Sequence, residues 1–198
     1  MTYDLFLATL LFAFVGVITP GPNNVMLMTS GANFGFWRSL PHMTGVAYGF
    51  PVMIFLVGLG AMQVFDLWPA SYTVLKVLSG AYLLFLAWKI ANAAPPDGKM
   101  RENARPLTLL QAAMFQWVNP KAWTLALTAI TLYAAGRDTA SVLWVSGIFA
   151  LCGTVSATTW VSIGQQLARL LSNPRRLRAC NITMAVVLVA TMVPAFLP

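Results

Sequence analysis

Long apolar stretches alternate with short polar or Gly/Pro-rich connections along the whole chain. Uncharged stretches such as 122–136 and 139–168 approach or exceed the ~20 apolar residues that cross a bilayer. The pattern predicts six spans, at about 5–30, 40–63, 69–90, 108–134, 139–164 and 179–197. We expect helices, because a span in lipid must satisfy its own backbone hydrogen bonds, whereas barrel strands alternate over ~10 residues.

Composition supports a membrane protein of one domain. The 198 residues are 59% hydrophobic and 9% charged, against about 45–50% and about 25% in soluble domains. The N-terminal segment carries Asp4 and lacks the positive region of a cleavable signal peptide, so we expect the first span to be retained. Nucleic-acid binding does not follow from the net charge of +7, because embedding the apolar runs leaves no basic face.

The positive charges are unevenly divided between the two sets of loops. The side of the membrane that holds the loops after spans two and four has only Lys76 and Arg137. The loops after spans one, three and five hold Arg38, Lys89, Lys99, Arg101, Arg105, Arg169, Arg175, Arg176 and Arg178. This excess predicts that the latter loops face the cytoplasm, with both termini outside.

Span one is interrupted by Thr19-Pro20-Gly21-Pro22-Asn23-Asn24. Two prolines remove backbone donors and the glycine between them adds conformational freedom, so we expect the helix to break here. Irregular backbone at membrane depth is tolerated only inside protein or along a wet cavity, so the segment is predicted to face the interior.

Span four has its own interruption, Asn119-Pro120-Lys121, in the middle of an uncharged run. Fifteen uncharged residues lie on either side of Lys121, so each end is roughly 22 Å away, beyond the reach of a lysine side chain. The ammonium therefore needs an anion, a polar cavity or loss of its charge.

The two interruptions occupy corresponding places in two halves, about 1–98 and 99–198. Asn23 and Asn119 are 96 residues apart, and each lies in the first span of its half. Three spans per half invert the second half, and paired broken spans in inverted halves indicate the central binding site of a transporter. The predicted fold is all-α, with six transmembrane helices in two inverted three-helix halves and the first and fourth helices broken.

The residues at these breaks resemble the LysE/RhtB family of bacterial amino-acid exporters. The motifs are Thr19-Pro20-Gly21-Pro22-Asn23, Gly80-Ala81-Tyr82-Leu83 and Phe115-Gln116-Trp117-Val118-Asn119-Pro120-Lys121-Ala122-Trp123. The resemblance covers essentially the whole chain and implies an exporter of amino acids or derivatives, driven by the proton motive force. Ala112 stands where many members have glycine, which affects local packing rather than the class.

Two roles for Lys121 are open. Its ammonium could bind the α-carboxylate of a zwitterionic amino acid while backbone carbonyls of the first break bind the α-amino group. Alternatively, those carbonyls could satisfy Lys121 as a structural charge. The candidate substrate-binding residues are Pro20, Gly21, Pro22, Asn23, Asn24, Gln116, Asn119, Pro120 and Lys121.

Gln116 and His42 have alternatives of their own. Gln116 lies about 140° from Lys121 on an ideal helix, so only the Pro120 break could bring them together. It is either a substrate ligand or part of an interhelical hydrogen bond. His42 is the only histidine and a possible proton carrier, although an interfacial or gate position is the commoner outcome.

The other small and aromatic residues receive structural interpretations. Cys152 and Cys180 are expected to be packing residues. Trp160 is expected at the membrane interface. Close helix packing is expected to explain Gly45, Gly49, Gly58, Gly60, Gly147, Gly153 and Ser156.

The acidic residues bear on the alternatives in function. Asp4, Asp66, Asp97, Glu102 and Asp138 all fall at span ends or in loops, which removes the usual buried proton carrier and argues against metal export. We predict no metal and no cofactor. The leading class is a secondary exporter working by alternating access, with a possible homodimer; a channel, an exporter of another solute and an intramembrane enzyme are alternatives.

Overall fold

The computed structural model describes residues 3–61, 70–92, 105–134, 138–170 and 174–190. The described part of the chain is helical without strands, which confirms the all-α class. Its α-helices are α1 Tyr3–Ile18, α2 Pro22–Arg38, α3 Leu40–Leu56, α4 Ala70–Ala91, α5 Leu109–Phe115, α6 Pro120–Tyr133, α7 Thr139–Leu170 and α8 Pro174–Ala190. A π-helical turn, Val57–Ala61, continues α3, and a 3-10 turn, Gln116–Val118, continues α5.

Among the described residues, two helical segments are long and apolar enough to cross a bilayer, namely Leu40–Gly60 and Thr139–Leu167. The bent pair of α1 and α2, with 56° between its members, makes a third when counted as one span. Helices α4, α5 with α6, and α8 coincide with predicted spans three, four and six. The predicted end of span six, 191–197, lies outside the described residues.

Both predicted helix breaks are present. Helix α1 ends at Ile18 and α2 begins at Pro22, while α6 begins at Pro120 after the 3-10 turn. Both prolines occupy the first turn of a helix, where a missing N–H removes no helical hydrogen bond. The Asn119 side chain accepts a 3.2 Å hydrogen bond from the Lys121 backbone and so caps α6.

Helix α2 contains a kink that the sequence pattern does not indicate. Gly35 has φ 76° and ψ 175°, a backbone conformation that is essentially restricted to glycine. The Ser39 hydroxyl donates to the Gly35 carbonyl at 2.8 Å and shares a hydrogen bond with Ser30. Helix α2 therefore runs past the predicted end of span one, with a bend near its last turn.

Helix α7 is the centre of the packing. Helices α1, α2 and α3 lie against it, α5 packs on α3, and α4 packs on α8. A Cβ on Gly31 would overlap the Val161 backbone, and one on Gly164 would overlap the Met28 carbonyl. Glycine therefore permits the close approach of α2 to α7.

Close packing also accounts for Gly45, Gly49 and Gly58, where a Cβ would collide with Ala112, Ala113 or Val142. No described atom outside its own stretch of helix lies within 4 Å of the Cβ position of Gly147, so close packing does not explain that glycine. Gly60 has φ 113°, a conformation that itself favours glycine. Cys152 is buried in the core beside Phe149, as expected, and both cysteines are free.

Candidate functional site

Lys121 joins the two broken helices. Its ammonium donates to the Thr19 carbonyl at 2.8 Å, the Thr19 hydroxyl at 2.9 Å and the Pro20 carbonyl at 3.3 Å. These acceptors follow the C-terminal end of α1, where the helix dipole favours a cation. The contacts are those of the structural alternative, in which carbonyls of the opposing break satisfy the lysine.

Gly21 provides the room for the Lys121 side chain. A Cβ at this position would lie 2.8 Å from Lys121 Cδ and 3.1 Å from Nζ. The backbone of Gly21 is extended, with φ −176° and ψ 178°, which any residue can adopt. The close approach of the lysine, rather than backbone strain, therefore favours glycine here.

A second connection between the breaks is formed by Asn23 and Gln116. Asn23 Nδ2 donates to Gln116 Oε1 at 2.8 Å, and Gln116 Nε2 donates to Asn23 Oδ1 at 3.2 Å and to the Ala112 carbonyl at 2.8 Å. Gln116 is fully buried. Gln116 and Lys121 therefore both contact the first break, but Gln116 bonds to Asn23 whereas Lys121 bonds to Thr19 and Pro20.

The remaining carbonyls at the end of α1 are also satisfied. Asn24 Nδ2 donates to the carbonyls of Val17 and Thr19 at 2.7 and 2.8 Å. From α7, the Ser156 hydroxyl donates to the Val17 carbonyl at 2.8 Å, and Trp160 Nε1 donates to the Ile18 carbonyl at 3.1 Å.

The sequence interpretation missed the roles of Ser156 and Trp160. Trp160 is half-buried against the first break, and Ser156 is a hydrogen-bond donor as well as a small packing residue. Their spacing of four residues places both on one face of α7. The sequence therefore did contain a signal, namely two hydrogen-bond donors on one face of a helix. Such a face suits a neighbouring helix end, whose last carbonyls lack partners within their own helix.

A small cavity lies between the two breaks. Its polar wall comes from Asn23, Asn24, Asn119, Lys121 and Ser156, and its other described lining residues are apolar or glycine. Its volume of about 40 Å³ fits two or three waters, at roughly 10–15 Å³ each. No acidic side chain of the described chain lines it, so the only formal charge on its wall is the Lys121 ammonium.

The first break faces the interior only in part. Gly21, Pro22 and Asn24 are buried, as predicted, whereas Thr19 and Pro20 are exposed and the interior prediction is wrong for them. An exposed Thr19-Pro20 segment leaves its carbonyls reachable from outside the packed core. The other proline of the candidate site, Pro120, is half-buried at the start of α6.

His42 does not belong to this cavity. It is 2% exposed, in α3, and neither ring nitrogen has a hydrogen-bond partner among the described residues. The imidazole is therefore enclosed in the protein, and the proton-carrier and the interfacial or gate positions stay predictions. Within the described ranges, no three His, Cys, Asp or Glu residues are grouped so that they could hold a metal ion.

Known proteins resemble this chain over nearly its whole length. The family profile "LysE type translocator" matches residues 14–196. A "Cysteine/O-acetylserine efflux protein" of Escherichia coli (strain K12) is 30% identical over 201 residues, covering 99% of this chain and 100% of the relative. A protein of the same name from Salmonella choleraesuis (strain SC-B67) is 31% identical with the same coverage.

The comparison with solved structures gives no match. The family profile and the relatives are those of translocators and efflux proteins, which makes the chain a membrane transporter and not an enzyme. The motifs at the two breaks lie inside the matched residues. The chain belongs to the LysE type translocator family.

Proposed function

We propose that this protein exports small neutral amino acids or their derivatives across the bacterial cytoplasmic membrane, driven by the proton motive force. The observation that carries the proposal is the Lys121 ammonium on the wall of a cavity between two facing helix breaks. A substrate with a basic side chain would need a carboxylate in the cavity wall to bind that side chain, and none of the described lining residues supplies one. The relatives named for cysteine and O-acetylserine efflux, which handle neutral amino acids, support the same choice.

Recognition of the zwitterion is assigned to the two breaks. Lys121 binds the α-carboxylate, and carbonyls of the first break bind the α-amino group. The amides of Asn23, Asn24 and Asn119 line the cavity and supply further donors and acceptors. The 40 Å³ cavity is smaller than an amino acid, so binding requires the breaks to move apart.

The helix packing supports two inverted halves. If spans one to three exchange with spans four to six, the pairing of α1 with α7 corresponds to that of α5 with α3, and both pairs are close. The pairings of α3 with α7 and of α4 with α8 each map onto themselves under the same exchange. This agreement favours six spans related by a pseudo-two-fold axis.

Two bridges on opposite sides of the cavity support alternating access. The excess of Lys and Arg in the odd-numbered loops puts α2 and α5 on the cytoplasmic side and α1 and α6 on the outer side. The Asn23–Gln116 bridge then closes the cytoplasmic side, and the bridge from Lys121 to Thr19 closes the outer side. Opening one bridge while the other holds would expose the site to one side at a time.

His42 is proposed as the proton carrier because it is a buried imidazole without a described hydrogen-bond partner. The titratable side chains described on helices packed against α3 are Arg38, Lys121, Tyr133 and Cys152, and none bonds to it. His42→Gln should export with a flattened dependence on external pH. An unchanged pH profile would remove His42 from the mechanism.

An excretion assay tests the proposed function. Cells loaded with mixed dipeptides and expressing the wild type should release neutral amino acids selectively, and uphill release should collapse with an uncoupler, which a channel would not show. Lys121→Met should abolish this release while remaining inserted. Lys89→Met, the same change at an exposed lysine on α4, should retain it. Full export by inserted Lys121→Met protein would contradict the proposal.

A further inference from the structure

The ammonium of Lys121 is a primary alkylammonium held by three oxygen atoms. It contacts the carbonyl and the hydroxyl of Thr19 and the carbonyl of Pro20, all within 3.3 Å. The Thr19 hydroxyl donates its own proton to the Gly16 carbonyl at 3.1 Å, which leaves its lone pairs for Lys121. The three oxygens therefore act only as acceptors toward this group.

An amino-acid substrate carries the same chemical group. Its α-ammonium has the charge and the three donors of the lysine ammonium, so oxygens arranged for one suit the other. Both acceptor residues are exposed, and an incoming ligand can reach them. The two cations cannot share these oxygens, because like charges at contact distance repel each other.

We infer that the carbonyl and hydroxyl of Thr19 and the carbonyl of Pro20 form the subsite for the substrate's α-ammonium, and that Lys121 is its displaceable occupant. The inference rests on the proposed function. On binding, the α-ammonium takes the three oxygens and Lys121 moves to the α-carboxylate. This exchange removes the direct bond between α6 and α1 and so opens the outer bridge only when substrate is present.

Three small probes separate the subsites. Cysteine carries both charged groups, cysteamine only the ammonium, and 3-mercaptopropionate only the carboxylate. Their competition against labelled cysteine is measured on the purified full-length protein in detergent under reducing conditions. Variants are accepted only when they elute as a single species.

Displacement predicts shifts of opposite sign in Lys121→Met. Cysteine should bind roughly tenfold more weakly, because a charged hydrogen bond to the carboxylate is lost. Cysteamine should bind at least threefold more tightly, because its competitor for the oxygens is gone. Adding Thr19→Val, which deletes the hydroxyl, should then weaken cysteamine roughly tenfold.

The single variant Thr19→Val provides a test that does not need Lys121→Met to fold. Weaker retention of Lys121 should make the lysine more available, so 3-mercaptopropionate should bind several-fold more tightly. Thr19→Ser, which keeps the hydroxyl, and Thr159→Val, on the exposed face of α7, should bind it like the wild type.

Some outcomes would overturn the inference while leaving amino-acid export intact. One such outcome is weaker binding of both cysteamine and cysteine to Lys121→Met. The other is unchanged or weaker binding of 3-mercaptopropionate to Thr19→Val. Failure of the proposed function gives a different result, since the wild type would then neither bind nor export any amino acid.

Discussion

The side-chain amides of Asn23 and Gln116, 93 residues apart, exchange two hydrogen bonds across the helix breaks. Gln116 also donates to the Ala112 carbonyl, so its amide is fully used inside the protein. One amide comes from the start of α2 and the other from the 3-10 turn after α5. The pair therefore ties together segments that alternating access must separate.

Replacing Asn23 and Gln116 together should lower the free energy of unfolding by less than the sum of the two single replacements. Asn23→Ala or Gln116→Ala leaves a partner amide without its acceptor, at a cost of about 1–3 kcal/mol each. The double variant should show a coupling of about 0.6–1.7 kcal/mol, the range for interhelical hydrogen bonds in membranes. Denaturant unfolding in detergent measures all four proteins. Strict additivity would mean that the two side chains do not bond to each other.

The sequence was sufficient to predict the breaks, because proline and glycine act locally. Pro20, Gly21, Pro22 and Pro120 exclude a continuous helix whatever surrounds them, and both breaks lie where expected. The isolated charge of Lys121 likewise required a polar environment, and the structure supplies one from backbone oxygens.

The partners across the breaks could not be predicted from local sequence. Trp160 and Ser156 reach the end of α1 only because α7 packs against α1, and no periodicity reveals which helix supplies a donor. The kink at Gly35 also escaped prediction, since a glycine near a helix end has several outcomes. The exposure of Thr19 and Pro20 depends on the position of neighbouring helices rather than on their own chemistry.

The close contact of α2 with α7 should be sensitive to a single methyl group. At Gly31 and Gly164 an added Cβ meets backbone atoms of the opposite helix, which cannot rotate away as a side chain can. Gly31→Ala and Gly164→Ala should each lower the free energy of unfolding by about 1–3 kcal/mol. Thermal unfolding of the purified variants gives the comparison.

Gly147 offers a matched control on α7 itself. Among the described residues, no atom outside its own stretch of helix lies within 4 Å of its Cβ position, so Gly147→Ala adds a methyl group without a collision there. It should be neutral or stabilise by up to about 1 kcal/mol, the helix preference for alanine over glycine. Equal losses at Gly31 and Gly147 would show that the helix contact does not cause the effect.

Gly21 lies against the Lys121 side chain, and its own backbone conformation does not require glycine. Alanine fits the extended conformation of this residue, so any effect of Gly21→Ala must arise from the 2.8 Å approach of its Cβ to Lys121 Cδ. The lysine must shift, which should weaken its bonds to Thr19 and Pro20 by about 1 kcal/mol. We expect the free energy of unfolding to fall by about the same amount, because these bonds tie α6 to the end of α1.

A double-variant comparison identifies the route of this effect. In a Lys121→Ala background both the Cδ that the new Cβ approaches and the ammonium that bonds to Thr19 are absent. Gly21→Ala should therefore change the unfolding temperature of the wild type but leave that of Lys121→Ala nearly unchanged. Equal shifts in both backgrounds would place the effect in the backbone of the break, because only a backbone effect is independent of the side chain at position 121.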